Sequence, residues 1–190
     1  MTLPPLLPGH VLAITGGLTG IGRAIAILFL SHGASVAINY FPGHNAADEA
    51  LLSSLRTEAL AAIQARYPVK DTATEGEVPF LTVPGDISLP ETGPKFVEET
   101  VKKFGRLDTF ISNAGICKFE QFLDISAESW GRHQGTNLSG AFYGVQAAAR
   151  QMVSQSPSGG SIVGVSSISA LVGGAQQAHY VSSLAQIQLF

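Results

Sequence analysis

Charge is scarce in this chain. Lys, Arg, Asp and Glu supply 13% of its 190 residues, and 11 cations against 14 anions leave a formal net charge of −3. No basic face is available for nucleic acid, so none is expected as a partner. Cysteine is nearly absent. Cys117 stands alone, which rules out an internal disulfide and a cysteine-built zinc site, and no metal is expected. No apolar run reaches the roughly 20 residues that cross a bilayer. Met1–His10 (MTLPPLLPGH) has no basic n-region and does not read as a signal peptide. The expectation is a cytoplasmic protein with no membrane partner. What is abundant is small and apolar: 45% hydrophobic residues and 21 glycines, with a mean hydropathy of +0.25. That composition fits one compact α/β domain over residues 1–190.

The stretch VLAITGGLTGIG, Val11 to Gly22, organises the rest. A short apolar run breaks into glycines, and a helix-forming segment follows. A helix that starts at such a turn aims its free N–H groups and its positive dipole end at the turn, which makes the turn an anion site. At the head of an alternating β/α chain this unit is a dinucleotide-binding turn, here spaced TGxxxGxG rather than GxGxxG.

The remaining chain alternates. Strands are expected at Val11–Ile14, Ser35–Tyr40, Phe80–Val83, Thr109–Ser112 and Ser161–Val165. Helices are expected at Ile21–His32, at Asn45–Arg66, from a capping-box pattern at Ser88 to Phe104, from Ser126 with glycine interruptions to Gln155, and from about His179. Tyr67–Val78 and the stretch up to about Gln177 read as loops. This order predicts a doubly wound parallel sheet, with ligands beyond the carboxyl ends of the strands where the strand order reverses between the first and fourth. Small or polar residues follow those strand ends: Gly16 to Gly22, Gly85-Asp86-Ile87, Asn113-Ala114-Gly115, and Ser166, Ser167 and Ser169. Asp86 and Asn113 could equally be turn residues.

These motifs are similar to those of the short-chain dehydrogenase/reductase family. TGGLTGIG resembles its cofactor turn, SNAG at Ser112–Gly115 its NNAG motif, and GSIVGVSS the strand delivering the catalytic serine. Tyr180 stands thirteen residues after Ser167, the family spacing. The likeness covers about residues 11–180. Within the family, Val83–Gly93 and Ser166–Tyr180 resemble fungal dehydrogenases that oxidise L-rhamnose at C1. The resemblance implies an NAD(P)-dependent oxidoreductase acting on a CH–OH group of a sugar or other alcohol, in a homo-oligomer built on helices near Trp130 and Tyr180. Tyr180 would take the hydroxyl proton, Ser167 would hold the substrate oxygen, and Asn137 would help hold a relay water. Gly16, Thr19, Gly20, Ile21, Gly22, Asn39, Asp86, Ile87, Asn113, Ala114, Gly115 and Tyr180 would contact the cofactor. Ser167, Ser169 and Gln176 are the expected substrate contacts, Gln176 first because an amide both donates and accepts. Cys117, Lys118 and His179 lie on neighbouring loops.

The chain departs from the family where its chemistry is decided. A free tyrosine has a pKa of about 10, and the family lowers it with a lysine one helical turn on, where Leu184 stands here. The chain also ends at Phe190, ten residues after Tyr180, and reads as truncated relative to the family. A non-catalytic nucleotide-binding protein, or an inactive fragment, is therefore the alternative. For the cofactor, Asn39-Tyr40-Phe41 offers no carboxylate to a ribose 2′-hydroxyl. Thr19 stands where NADP-binding members place a base, Arg23 reads as a surface helix charge, and His44 is ambiguous. Either NAD or NADP is expected, with NADP favoured.

Overall fold

The computed structural model describes residues 4–43, 45–67 and 78–185. His44, most of the loop expected between Tyr67 and Val78, and the tail beyond Ala185 lie outside the described residues. Five strands form one parallel sheet: β1 (Val11–Thr15), β2 (Ser35–Tyr40), β3 (Phe80–Pro84), β4 (Thr109–Ser112) and β5 (Ser161–Gly164), in the order β3-β2-β1-β4-β5. The order reverses between β1 and β4, as the alternation predicts.

Side chains alternate across a strand, so each strand feeds two cores. Leu12, Ile14, Val36 and Ile38 pack on one face beneath α1 (Gly20–Ser31) and α2 (Asn45–Arg66), which bring Ala26, Leu30, Leu55 and Ala59. Ala13, Ala37 and Phe110 pack on the other beneath α3 (Thr92–Phe104) and α5 (Gly140–Ser154), which bring Phe96, Val97, Ala148 and Met152. All five residues of β1 are buried, as a parallel strand covered on both faces must be.

One local expectation fails for a physical reason, and another holds with its interruption placed. Ser88 does not open α3. Its backbone N–H and hydroxyl donate to Asp86 Oδ1 at 2.9 and 2.7 Å, so it closes a turn, and α3 begins four residues later with no side-chain cap. The glycines between Ser126 and Gln155 do not break the helix. Ser126 caps α4 (Ala127–His133) by accepting from the Ser129 N–H at 3.0 Å, a π-helical turn spans Gln134–Ser139, and α5 continues the axis. A Cβ on Gly140 or Gly144 would come within 2.8 Å of the Ile87 carbonyl or the Phe110 ring, so these glycines let the helix press onto the loop after β3 and onto the sheet. The stretch after β5, expected as loop, contains the short helix α6 (Ser169–Val172), followed by α7 (Ala178–Ala185).

Candidate active site

The glycine turn is built from its neighbours. Thr15, the last residue of β1, uses its hydroxyl to accept the backbone N–H groups of Asn113 and Ala114, both at 3.0 Å. Asn113 returns the favour: its amide donates to the carbonyls of Thr15 and Gly16 at 3.0 and 3.1 Å. A Cβ on Gly22 would sit 2.3 Å from the Gly16 carbonyl, so the first turn of α1 closes directly onto the loop. Asn113 is thus a buttress beneath the turn. The bracing role of Thr15 is not legible in the sequence, because its partners follow β4, nearly a hundred residues away.

Above the turn the chain leaves room. Thr19, Gly20 and Ile21 are exposed, and a Cβ on Gly20 would meet nothing within 4 Å. Thr19 is the N-cap residue of α1 yet makes no side-chain capping bond, so the first N–H groups of the helix keep their donor capacity. An uncapped helix N-terminus beneath open space fits a dinucleotide's diphosphate.

A cavity of about 800 Å³ opens at the carboxyl ends of β1 to β4. Of the expected cofactor contacts, Gly16, Thr19, Asn39, Asp86, Ile87, Ala114 and Gly115 line it. Gly20, Ile21 and Gly22 form the helix start beside it, and Asn113 lies behind the turn. Asn39 donates its amide to the carbonyls of Val83 and Gly85, each at 3.1 Å, which ties the end of β2 to β3. Asp86 spends Oδ1 on Ser88. Arg23 lies on α1 as expected, but it is more than a surface charge. Its guanidinium bridges to α2 through the Leu51 carbonyl, Ser54 and Glu58 at 3.0, 2.8 and 2.9 Å. Sequence reasoning missed the far wall, where Glu128, Arg132 and Thr136 face the strand ends, and Asp48 beside Tyr40 and Phe41. Nothing in the local pattern shows that α4 and α2 fold over the cleft.

Tyr180 is not a wall of that cavity; it stands half-buried on α7, which packs against α6. Ser167 precedes α6, and its hydroxyl accepts from the Ser169 N–H at 3.2 Å. Asn137 sits in the π turn, 1% exposed, with its side chain committed: it accepts from the Ile116 N–H at 2.8 Å and donates to the Ile116 carbonyl at 3.0 Å and to Ser183 Oγ at 2.9 Å. Leu184, one turn after Tyr180, is 4% exposed. Gln176 has φ +60° and an exposed side chain, and its carbonyl accepts from the Glu120 N–H at 2.9 Å. Its neighbour Gln177 turns inward instead, meeting Ser169 Oγ at 3.1 Å and Cys117 Sγ at 3.6 Å. Desolvation raises the Cys117 thiol above its ordinary value, the opposite of what a reactive thiolate needs.

A sequence profile of the short chain dehydrogenase family matches residues 43–190. The chain belongs to that family. It is 50% identical over 182 residues to an L-rhamnose-1-dehydrogenase of Scheffersomyces stipitis, covering 96% of this chain and 64% of the relative. It is 43% identical over 184 residues to an L-rhamnose 1-dehydrogenase (NAD(P)(+)) of Sphingomonas sp. (strain SKA58), again 96% of this chain and 64% of the relative. Among solved structures, a short-chain type dehydrogenase/reductase from Mycobacterium marinum superposes with a TM-score of 0.79 at 29% identity, over 95% of this chain and 66% of that one. Levodione reductase gives a TM-score of 0.77 at 26% identity, over 95% and 63%. The chain therefore spans about 64% of the length of the curated relatives it matches.

Proposed function

We propose that this short chain dehydrogenase binds NADP or NAD in the cavity at the strand ends and belongs to an enzyme that oxidises a sugar at a CH–OH group, L-rhamnose at C1 foremost. The observation that carries the cofactor reading is the uncapped start of α1 beneath open space, at the mouth of a cavity whose volume suits a dinucleotide. The substrate reading rests on what the relatives are named for, an L-rhamnose dehydrogenase at 50% identity and another at 43%. The relatives' names cover NAD(P)(+) and NADP(+) use, in keeping with dual cofactor use.

In this reading the α1 N-terminus, Thr19 and Gly20 hold the diphosphate. Asp86, Ile87 and Ala114 border the adenosine. Asn39 and Asn113 shape the site from behind. A bound nicotinamide supplies the acceptor for the hydride that leaves the sugar carbon. Tyr180 takes the hydroxyl proton, Ser167 holds the substrate oxygen by a hydrogen bond, and Ser169 and Gln176 border the sugar.

A second reading has its own observation. Leu184 is buried where a cation would favour the Tyr180 phenolate. On that reading the chain binds the nucleotide and turns nothing over. The deciding experiment is a thermal melt of the chain with and without NADP or NAD, followed by an L-rhamnose assay. A ligand at about 100 times its Kd stabilises the folded state by about 2.7 kcal/mol. A cofactor-raised midpoint with turnover supports the first reading, and a raised midpoint without turnover supports the second. A midpoint that ignores both cofactors overturns both.

A further inference from the structure

A second cluster of ionisable groups lies beside the cavity, and the reading above makes no use of it. His179 immediately precedes Tyr180 on α7 and is fully buried at 0% exposure. Its ring lies against that of His133 on α4, with centroids 3.8 Å apart. His133 Nδ1 is 2.8 Å from the Ser129 carbonyl, and its Nε2 is 3.2 Å from the Lys118 backbone nitrogen. A carbonyl only accepts and an amide N–H only donates, so this geometry requires neutral His133 with its proton on Nδ1. Glu120 Oε2 is 3.2 Å from His179 Nε2, but neither His179 nitrogen is in a hydrogen bond. The contact has the distance of an ion pair without the alignment of a hydrogen bond, so it is strongest when His179 is charged. Glu120 also accepts from Ser129 Oγ and pairs with Lys118 Nζ at 2.9 Å. Those bonds, Ser129 first, hold its carboxyl down at about 2, so it stays an anion at any working pH.

We propose that His133, His179 and Glu120 form a latch that tolerates one proton, that it fixes α7 and with it Tyr180 against α4, and that a second proton opens it. Its bearing on Tyr180 as proton acceptor rests on the reading above; the latch itself does not. One imidazolium is balanced by Glu120. A second would set like charges 3.8 Å apart in a buried site and turn His133 Nε2 into a donor facing the Lys118 N–H. The surrounding groups add to this. Lys118 and Arg132 are cations, Glu128 is the other carboxylate around the adjoining 290 Å³ cavity, and Cys117 is a neutral thiol. The π turn and α6, which also pack on α7, bring no titratable group, and α7 itself adds only Tyr180. The latch reaches the loop as well, because Glu120 N–H holds the Gln176 carbonyl just before α7. His179 and Glu120 are positioning residues in this scheme.

Burial, aided by the neighbouring His179, lowers the His133 pKa below its ordinary value. The unfolded chain therefore binds the extra proton more readily. The stability contributed by neutral His133 is complete above about pH 6.5, the ordinary histidine pKa, and is lost as pH falls toward its folded value.

The test follows the His133 ring by NMR through the histidine range in the whole chain, with amide exchange of α7 measured alongside. His179→Gln is expected to raise the His133 midpoint, and Glu120→Gln to lower it. In the wild type, α7 amides lose protection as pH falls past that midpoint. A His133 midpoint that neither substitution moves overturns the latch, as does α7 protection unchanged across the midpoint. If His179→Gln fails to fold, Glu120→Gln and the wild-type exchange still decide. A cofactor that leaves the melt unchanged while the His133 coupling persists sinks the functional reading and leaves the latch standing.

Discussion

Asn137 shows how a buried side chain holds others in place. Its amide satisfies both backbone groups of Ile116 and the hydroxyl of Ser183, which in turn donates to the Tyr180 carbonyl at 2.7 Å. Asn137→Ala strands these partners, and an unpaired buried polar group costs about 1–3 kcal/mol. The expected loss is about 3 kcal/mol, or roughly 6–12 °C in Tm for a chain of this size, read by calorimetry. Leu184 poses the opposite question. Leu184→Lys puts an ammonium one turn from Tyr180 at the cost of burying part of it. Each unit by which a phenol's pKa falls raises its phenolate fraction at neutral pH about tenfold. On the proposed reading, L-rhamnose turnover is therefore expected to rise about tenfold for each unit by which the lysine lowers the phenol's pKa, with the pH–rate profile moving to lower pH and Tm falling. An unchanged profile would separate Tyr180 from the proton transfer. At this scale the sequence names residue types but not their commitments. It points to Gln176 for the sugar but not to the exposed side chain and φ of +60° there, nor to the bond from Ser169 Oγ that Gln177 takes next to it.

Elements were the most legible level, since periodicity is local. The β2 and α2 spans were readable to the residue from alternation and helical spacing, and β1, β3 and β5 to within one. The failure came where a turn contact outbid a capping signal: Ser88 answers to Asp86 rather than to α3. Within the Ser126–Gln155 run, Gly144 serves the packing of α5 on the Phe110 ring of the sheet. The turn between β1 and α1 separates these two kinds of demand on glycine. Gly22→Ala would force a Cβ to 2.3 Å from a backbone carbonyl, so both folding and cofactor binding should suffer. Gly20 has φ +55° and open space above it. Gly20→Ala should cost the fold only about 1–2 kcal/mol and yet abolish the cofactor-induced rise in Tm, because the methyl fills the space left for the diphosphate. Paired melts with and without NADP check this. A Gly20→Ala protein that still responds fully to NADP would move the diphosphate away from this turn.

For the whole molecule, the same parallel sheet that gathers the strand ends into a cleft must also manage its edges. On the β5 side it does so poorly. All four residues of β5 are exposed, with Ile162 at 40% and Val163 at 46%, and among the described residues β5 pairs with β4 alone. Ile168, Leu171 and Val172 follow in the next segment at 69, 69 and 76% exposure. An unpaired apolar edge offers its N–H and C=O groups to any other strand. The chain by itself is expected to self-associate with rising concentration, as sedimentation velocity would show. Val163→Lys should shift that distribution toward the monomer, since a charge must be desolvated for a second strand to dock there. The cavity walls come from β1 to β4 and the helices over them, so the cofactor-induced rise in Tm should survive this substitution. Association unaffected by Val163→Lys would place the contact elsewhere. Loss of the cofactor response together with association would mean that the cleft is completed across the β5 edge.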